Sequence, residues 1–312
     1  MWGKFKDTVN PLESFIGKRS ADFSKEDIVR YVTKKGVKII NFRYAAHDGR
    51  LKTLSFPVSS VNYLETILTF GERVDGSSLF PYIEAGASDL YVMPDYTTAY
   101  VDPFSEIPAL GLLCSYLGPD EKPLETSPEY TLKRAAEDFE RSTGCTFEAM
   151  GELEFYVSAE VNPNFEAKNQ KGYHESAPFS KFEDFRNEAM TLISQVGGKI
   201  KYSHSEVGNF TLNGKLYEQN EIEFLPVPVR EAATQLLLAK WILRRLADIY
   251  GYDLTFAPKI TTGKAGSGLH FHTRVVKNGS PVMLESGNLS EYAKRMIGGY
   301  IKCAGALTAF GN

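Results

Sequence analysis

The most informative part of the sequence reads Gly151-Glu152-Leu153-Glu154-Phe155-Tyr156-Val157. Its aromatic and β-branched residues predict a strand that enters a core. Because side chains two residues apart on a strand share a face, Glu152 and Glu154 project together. Two neighbouring carboxylates on one face are a poor arrangement unless a cation lies between them. For this stretch alone, a solvent-facing strand edge remains the alternative.

Further segments carry metal-type ligands at the same strand spacing. Glu206 lies on the first arm of a hairpin whose turn is predicted at Asn213-Gly214, and Glu221 lies on the return arm. His270 and His272 also lie two residues apart, so that one strand face presents both imidazoles. The same kind of side chain therefore recurs on several predicted strands.

Each of these residues has an alternative interpretation. A glutamate on a hairpin arm is normally solvated, and Glu218 and Glu223 compete with Glu221 for the inward position. We interpret His204 as a surface or supporting residue rather than a ligand. Taken together, several carboxylates and one or two imidazoles form a hard, oxygen-dominated set that suits Mg²⁺ or Mn²⁺ rather than zinc. Such ions typically hold nucleotide phosphates during phosphoryl transfer. The sequence has no Walker-type glycine loop, which argues against a P-loop enzyme.

Composition limits the class of protein. A chain of 312 residues exceeds the usual single core, which predicts two domains. An apolar share of 43% is typical of a soluble globular protein. A net charge of -4 does not indicate the basic surface that binds nucleic acid. The three widely spaced cysteines indicate reduced thiols. With no apolar run of ~20 residues and no signal peptide, we expect a cytoplasmic protein without a membrane anchor.

Capping residues and hydrophobic periodicity predict the remaining elements. Helices are expected over Lys25–Lys35, Val61–Phe70, 127–142, 185–196, Val229–Tyr250 and from 290 to about 307. Strands are expected over 37–44, 51–58, 200–207, 216–224, 254–260 and 268–276. Residues 1–20 are expected to be peripheral. Residues 162–182 form a long polar loop, a kind that is usually functional or mobile.

An ordered set of motifs resembles the glutamine synthetases, in particular their bacterial type I group. The motifs are Asp75-Gly76-Ser77-Ser78, Met93-Pro94-Asp95, Gly151-Glu152-Leu153-Glu154-Phe155, Gln219-Asn220-Glu221 and Gly266-Ser267-Gly268-Leu269-His270-Phe271-His272. The resemblance runs from about Phe15 to the end of the chain and implies an α+β fold. It assigns residues 15–105 to a β-grasp N-terminal domain. It assigns residues 106–312 to a glutamine synthetase/guanido kinase-type catalytic domain, a curved antiparallel sheet with flanking helices.

The resemblance also implies a set of metal ligands. Glu154, Glu206 and Glu221 match the ligands of a first metal, which positions the amino acid substrate. Glu152 and His270 match ligands of a second metal, which lies on the nucleotide phosphates. Two or more Mg²⁺ or Mn²⁺ ions per site are implied.

Substrate contacts follow from the same resemblance. His272 and Arg274 fall in the ATP-binding segment, and Ala265 and Gly266 fall where the substrate glutamate is held. The family usually has asparagine at the position of Ala265, and it commonly has serine at the position of Arg274. Lys201 stands where the family commonly has glutamate near ATP.

Asp75 and Ser78 match a segment that reaches into a neighbouring subunit's site, where the aspartate helps to capture ammonium. The resemblance therefore implies self-association into a ring, which is a dodecamer in the family. The family continues past the position that matches Asn312 into a segment with arginines and a further metal ligand. We therefore expect the catalytic domain to be C-terminally incomplete and poorly active alone.

The activity implied is ATP-dependent ligation of ammonia to L-glutamate, which gives L-glutamine, ADP and phosphate through a γ-glutamyl phosphate. Two alternatives stay open. One is a ligase of the same fold that joins glutamate to another amine. The other is a non-catalytic homologue that binds metal or nucleotide and acts through assembly or regulation. No nucleic acid or membrane partner is expected.

Overall fold

The computed structural model describes residues 10–161 and 164–311, which divide into two compact units. The first unit contains the described residues up to 132 together with 191–198 and 237–242, and the second contains the described remainder. The described helices are α1 (Pro11–Ile16), α2 (Lys25–Lys35), α3 (Val61–Phe70), α4 (Pro128–Thr143), α5 (Glu183–Gln195), α6 (Val229–Tyr250), α7 (Glu291–Lys302) and α8 (Ala304–Phe310). None of them combines the length and apolarity needed to cross a bilayer.

The strands pair within three sheets. The first unit contains β1 (Ile39–Ala45), β2 (Leu51–Pro57), β3 (Glu72–Asp75), β4 (Asp89–Pro94), β5 (Tyr100–Val101) and β6 (Ala109–Leu117). The second unit contains β7 (Thr146–Glu160), β8 (Ile200–Leu212), β9 (Lys215–Phe224), β10 (Val227–Pro228), β11 (Asp253–Thr255), β12 (Leu269–Lys277), β13 (Ser280–Pro281), β14 (Leu284–Glu285) and β15 (Asn288–Leu289). This content confirms the α+β expectation.

The first sheet has the order β2-β1-β6-β4-β3, and β5 pairs with β6. A hairpin joins β1 to β2, with Gly49 at φ +69° in its turn, a backbone conformation that glycine adopts without strain. β1 pairs with β6 in parallel, which requires a crossover. Because β6 belongs to this sheet, the first unit extends beyond residue 105. The expected boundary between residues 105 and 106 stays a prediction.

Helix α2 shows why these bounds could be predicted. The Ser24 side chain accepts from the Asp27 N–H while Asp27 accepts from the Ser24 N–H, a reciprocal capping box. Gly36 ends the helix in the left-handed conformation. The apolar face of α2 joins the first unit's core through Ile28 and Val32.

The N-terminal segment corrects one expectation. Residues 1–20 were expected to be peripheral, but Leu12 is 0% exposed and Ile16 also lies in the core. The local cause is a short helix that begins at Pro11. The Asn10 side chain accepts from the Leu12 N–H and donates to the carbonyl of Ala99, which ties the helix to the core. Residues 1–9 lie outside the described part.

The second sheet has the order β13-β12-β7-β9-β8, with β10 and β11 also pairing with β7, and its pairings are antiparallel. β7 contains residues 151–157. Its Leu153, Phe155 and Val157 are buried on one face, where a Cβ added at Gly151 would lie 3.2 Å from the side chain of Leu236 on α6. The alternating residues of β7 project from the opposite face.

Two expectations for the second unit need adjusting. The strand expected over 254–260 is only Asp253–Thr255, because the following segment contains Pro258, which cannot donate to a ladder. The helix expected from 290 is two helices that meet at Cys303.

Candidate metal and substrate site

Strand register assembles the carboxylates on one face of the second sheet. On neighbouring strands, Glu154 pairs with Glu221 and Glu221 pairs with His204. We call this surface the acidic face and define it by Glu152, Glu154, Glu221 and Glu223. The adjacent row of the same face pairs Glu152 with Glu223, and Glu152 with His270 on the other side.

The side chains of these rows approach one another closely. Oxygen and nitrogen atoms of His204, Glu206 and Glu221 all lie within 4.8 Å of one another, and so do oxygens of Glu152, Glu221 and Glu223. His204 Nε2 lies 3.2 Å from Glu221 Oε2, and its Nδ1 lies 3.7 Å from Glu206 Oε1. Glu221 belongs to both groups and links them.

A bulge brings Glu206 into the first group. After Ser205 pairs with Asn220, the next pair is Asn209 with Glu218, so residues 206–208 oppose Gln219 alone. Such a bulge bends the strand and re-aims its side chains. Glu206 thereby lies beside His204, two residues earlier on the same strand.

The two histidines of β12 both contact one carboxylate. His270 Nδ1 lies 2.9 Å from Glu152 Oε2, and His272 Nε2 lies 2.7 Å from Glu152 Oε1. The hydrogen bond to Glu152 raises the pKa of His270. Both oxygens of Glu152 are therefore oriented by imidazoles, the kind of support that fixes a metal-binding carboxylate.

The electrostatics of the acidic face favour a cation. Burial raises the pKa of Glu154, and the charges of Glu221 and Glu206 act in the same direction against the hydrogen bond from the Gly268 N–H. The hydrogen bond to Glu221 raises the pKa of His204. Carboxylates that repel one another in a half-buried site are stabilised when a divalent cation binds between them.

Glu223 is already balanced within the protein. Lys201 Nζ lies 2.6 Å from its Oε2, and the Tyr202 hydroxyl donates to its Oε1. Burial alone would raise the pKa of Glu223, but the hydrogen bonds from Lys201 and Tyr202 outweigh burial and lower it. Among the glutamates of the acidic face, Glu223 is thus the one whose negative charge least requires a bound cation.

The acidic face supplies carboxylate oxygens, and the adjacent His204, His270 and His272 supply imidazole nitrogens. This donor set fits Mg²⁺ or Mn²⁺. The division into a first metal at Glu154, Glu206 and Glu221 and a second at Glu152 and His270 stays a prediction. Sequence reasoning set aside His204 and did not select Glu223. Their signal was present, since each lies two residues from a selected glutamate on the same strand. Glu218 lies on the opposite face, where its carboxylate accepts from Ser180 Oγ and the Lys181 N–H.

Residues 265–268, which we call the glycine loop, pass beside the acidic face. A Cβ at Gly266 would lie 2.5 Å from the Pro258 carbonyl, so only glycine permits this approach. The Tyr156 hydroxyl donates to the Ala265 carbonyl at 2.8 Å, and Gln170 Oε1 accepts from the Ala265 N–H at 2.7 Å. Both backbone groups of Ala265 are therefore engaged.

Part of the long polar loop pairs with the free edge of β8. The Gln170 backbone N–H donates to the Asn209 carbonyl. In the same way, the Gly172 N–H donates to the Val207 carbonyl and the His174 N–H donates to the Ser205 carbonyl. The ring of His174 then lies 4.4 Å from that of His204, centroid to centroid. The loop covers the edge strand and reaches the acidic face, and its functional role stays a prediction.

The two residues predicted to bind ATP lie on β12. Arg274 pairs with Glu148, with distances of 2.7 Å from Nε and 2.6 Å from a terminal nitrogen to Glu148 Oε2. His272 contacts Glu152, as described above. Arg274 and His272 thus lie in one row with His270, each beside a carboxylate of β7.

Asp75 and Ser78 lie in the first unit. The Asp75 carboxylate accepts from the Ser78 hydroxyl at 2.5 Å and from the Ser77 hydroxyl at 2.8 Å. These hydrogen bonds hold the pKa of Asp75 well below its usual range, so this exposed carboxylate remains ionised. Its role in a neighbouring subunit's site stays a prediction.

Comparison with known proteins agrees with this architecture. The family model described as glutamine synthetase, catalytic domain, matches residues 125–312, and the model of the glutamine synthetase beta-Grasp domain matches residues 36–119. A curated relative from Cupriavidus pinatubonensis, named 3-hydroxylaminophenol mutase, is 32% identical over 93% of this chain and 66% of its own length. The glutamine synthetase of Methanosarcina mazei is 30% identical over 93% of this chain and 64% of its own length.

Solved structures show the same fold. Plasmodium falciparum glutamine synthetase superimposes with a TM-score of 0.81 at 19% identity and covers 93% of this chain and 62% of its own. A structure titled GmaS/ADP complex superimposes with a TM-score of 0.77 at 18% identity over 90% of this chain and 64% of its own. The chain thus spans 66% of the length of the curated relative from Cupriavidus pinatubonensis and of the glutamine synthetase of Frankia alni. On the family models and the curated relatives together, the chain belongs to the glutamine synthetase family.

Proposed function

We propose that this chain supplies the cation-binding part of an ATP-dependent ligase that joins ammonia to L-glutamate. The products would be L-glutamine, ADP and phosphate, with a γ-glutamyl phosphate between the two steps. The observation that carries the proposal is the convergence of five carboxylates and three imidazoles from four strands, Glu152, Glu154, Glu206, Glu221, Glu223, His204, His270 and His272.

The residues have distinct tasks in this proposal. Glu154, Glu206 and Glu221 hold one divalent ion, and Glu152 with His270 holds another. Mg²⁺ or Mn²⁺, when bound, neutralises the charge of the phosphoryl group that ATP transfers. A carboxylate oxygen is a poor leaving group, and phosphorylation converts it into a good one that ammonia displaces.

The glycine loop would contact the amino acid substrate. Because the Ala265 N–H already donates to Gln170 Oε1 and its side chain is a methyl group, Ala265 has no hydrogen-bond donor left for a substrate carboxylate. In the described part of the chain the Gly266 N–H has no hydrogen-bond partner, which leaves it available to a substrate carboxylate. Arg274 and His272 would line the nucleotide side.

Assembly and location belong to the same proposal. Asp75 and Ser78 would act in the site of a neighbouring subunit, and the exposed, ionised Asp75 carboxylate is suited to capturing ammonium. This requires a ring-forming homo-oligomer, which we place in the cytoplasm.

Glutamine formation from glutamate, ammonium and ATP, measured with Mg²⁺ or Mn²⁺, tests the proposal. Glu154→Ala is expected to abolish turnover and weaken Mn²⁺ binding, whereas Glu160→Ala at the exposed end of the same strand is expected to leave both unchanged. Replacing ammonium with methylamine in this assay tests the alternative amine ligase. Tight Mn²⁺ binding by Glu154→Ala would contradict the site assignment.

A second candidate function follows from one relative. Because a protein 32% identical to this chain is named 3-hydroxylaminophenol mutase, an aromatic hydroxylamine is a candidate substrate. A mutase rearranges its substrate without net addition, so this reaction would need neither ATP nor glutamate. Conversion of 3-hydroxylaminophenol, followed by NMR without nucleotide, would favour this function over ligation.

A further inference from the structure

Gln219 lies between the two parts of the candidate site. It is 1% exposed, on β9, and every polar atom of its side chain has a partner. Its Nε2 donates to Glu154 Oε2 at 2.7 Å and to the Gly266 carbonyl at 2.8 Å, and its Oε1 accepts from the Gly208 N–H at 3.1 Å. The reverse orientation of the amide would set oxygen against two acceptors, so this network determines the orientation.

The bulge in β8 makes this arrangement possible. Residues 206–208 oppose Gln219 alone, so the Gly208 N–H is free of the regular ladder and donates to the side chain instead. A Cβ at Gly208 would lie 2.6 Å from Gln219 Oε1, so glycine is required for this approach. The same bulge that places Glu206 at the acidic face thus also fixes Gln219.

Gln219 orients the Glu154 carboxylate. Glu154 Oε2 accepts from Gln219 and from the Gly268 N–H at 3.0 Å, while Oε1 has no hydrogen bond within the described residues. One oxygen is therefore held by two donors, and the other stays available for a cation beside Glu206 and Glu221. A ligating carboxylate needs this kind of support from neighbouring hydrogen bonds.

Gln219 holds the glycine loop through the same amide. Its second donor hydrogen reaches the Gly266 carbonyl, and Gly268, two residues later, donates to Glu154. Carboxylate, amide and loop therefore form a closed ring of hydrogen bonds. A shift of Glu154 toward a bound ion must move or tighten the loop through these bonds.

We propose that Gln219 is a positioning residue that couples the Glu154 carboxylate to the glycine loop, so that cation binding and ordering of the loop strengthen each other. The inference rests on the proposed function only for the cation. By linkage, the loop must then raise cation affinity as much as the cation orders the loop. Loss of a supporting partner typically weakens metal binding 10- to 100-fold.

One variant isolates this role. Gln219→Met keeps the approximate shape and removes every hydrogen bond of the amide. The control is Gln235→Met, because Gln235 is also a buried amide, accepts from the Lys199 N–H, and has no hydrogen bond to Glu154 or the glycine loop within the described residues.

The first measurement is Mn²⁺ affinity by calorimetry. We expect Gln219→Met to bind Mn²⁺ about 10- to 100-fold more weakly than the unmodified chain, and Gln235→Met to bind it equally well. Circular dichroism first establishes that each variant is folded. Unchanged Mn²⁺ affinity in a folded Gln219→Met variant would overturn the proposal, as would equal loss in Gln235→Met.

The second measurement is amide hydrogen exchange at Gly268, with and without Mn²⁺. In the unmodified chain we expect Mn²⁺ to slow this exchange, and in Gln219→Met we expect fast exchange on which Mn²⁺ has no effect. The metal-free comparison separates the two proposals. If the unmodified chain binds no Mn²⁺, the proposed function fails, whereas equal metal-free exchange at Gly268 in Gln219→Met and the unmodified chain overturns the positioning role.

Discussion

A single methyl group at position 208 tests how tightly the bulge beside the acidic face is packed. In a Gly208→Ala variant, the added Cβ would overlap the Tyr156 hydroxyl and lie 2.6 Å from Gln219 Oε1. The approach of the Cβ to the Tyr156 hydroxyl and its approach to Gln219 Oε1 are both closer than real Cβ atoms essentially ever show. Tyr156 is 1% exposed and donates to the Ala265 carbonyl, so its ring cannot turn toward solvent without breaking that bond.

The expected change in the free energy of unfolding combines two destabilising effects with one that partly offsets them. Forcing a methyl group into a packed interior costs about 1–3 kcal/mol. Loss of the hydrogen bond from Tyr156 to Ala265 adds about 1 kcal/mol. The lower entropy of the unfolded chain offsets about 0.4–1 kcal/mol, because Gly208 does not have a positive φ and alanine can adopt its backbone conformation. The overlap dominates, and we expect a net loss of about 1–3 kcal/mol in the free energy of unfolding.

Urea denaturation followed by circular dichroism measures this change. The same substitution in a Tyr156→Phe background removes the overlapping hydroxyl, so Gly208→Ala should cost about 1 kcal/mol less there. An unchanged cost in the two backgrounds, or a Gly208→Ala variant as stable as the unmodified chain, would refute the described packing.

Three further substitutions probe the first unit by urea denaturation. Leu12→Ala should cost about 2–5 kcal/mol because Leu12 is fully buried, whereas Leu307→Ala on an exposed helix should stay within about 0.5 kcal/mol; similar values for the two would contradict the burial of the N-terminal helix. Asp102→Asn should cost about 3–5 kcal/mol, since it leaves the buried Arg43 guanidinium, 2.8 Å away, without its counter-charge; a loss below about 1 kcal/mol, typical of a solvent-exposed pair, would argue against that burial. Ser24→Ala should cost about 1 kcal/mol through loss of the capping box, and a neutral result would mean that water replaces the cap.

Local chemistry explains what could be predicted from the sequence. The bounds of α2 were confirmed because Ser24 and Gly36 act within a few residues of the helix ends. The shared faces of Glu152 with Glu154 and of His270 with His272 follow from the two-residue period of a strand, whatever its neighbours are.

Features that depend on register could not be predicted in the same way. The bulge at residues 206–208 is defined by pairing with Gln219 across the hairpin, and a one-residue slip would turn every side chain to the other face. That is why the sequence left Glu218 and Glu221, which lie on opposite faces of β9, as alternatives; Glu223 and His204, each two residues from a selected glutamate, did not depend on register. The burial of Leu12 likewise depends on a hydrogen bond between Asn10 and Ala99, far apart in sequence.

Binding of a divalent cation at the acidic face is best tested at Glu221, which belongs to both ligand groups. The measurement is Mn²⁺ titration, by electron paramagnetic resonance, of the unmodified chain, Glu221→Gln and Glu160→Gln. Glu160 lies at the exposed end of β7 and receives the same substitution, which controls for the change in net charge. We predict that Glu221→Gln, which removes a proposed ligand, weakens Mn²⁺ binding by more than the about 10- to 100-fold typical of losing a supporting partner, while Glu160→Gln binds as the unmodified chain does. Equal Mn²⁺ affinity in all three proteins, or no Mn²⁺ binding by the folded unmodified chain, would rule out a cation site at the acidic face.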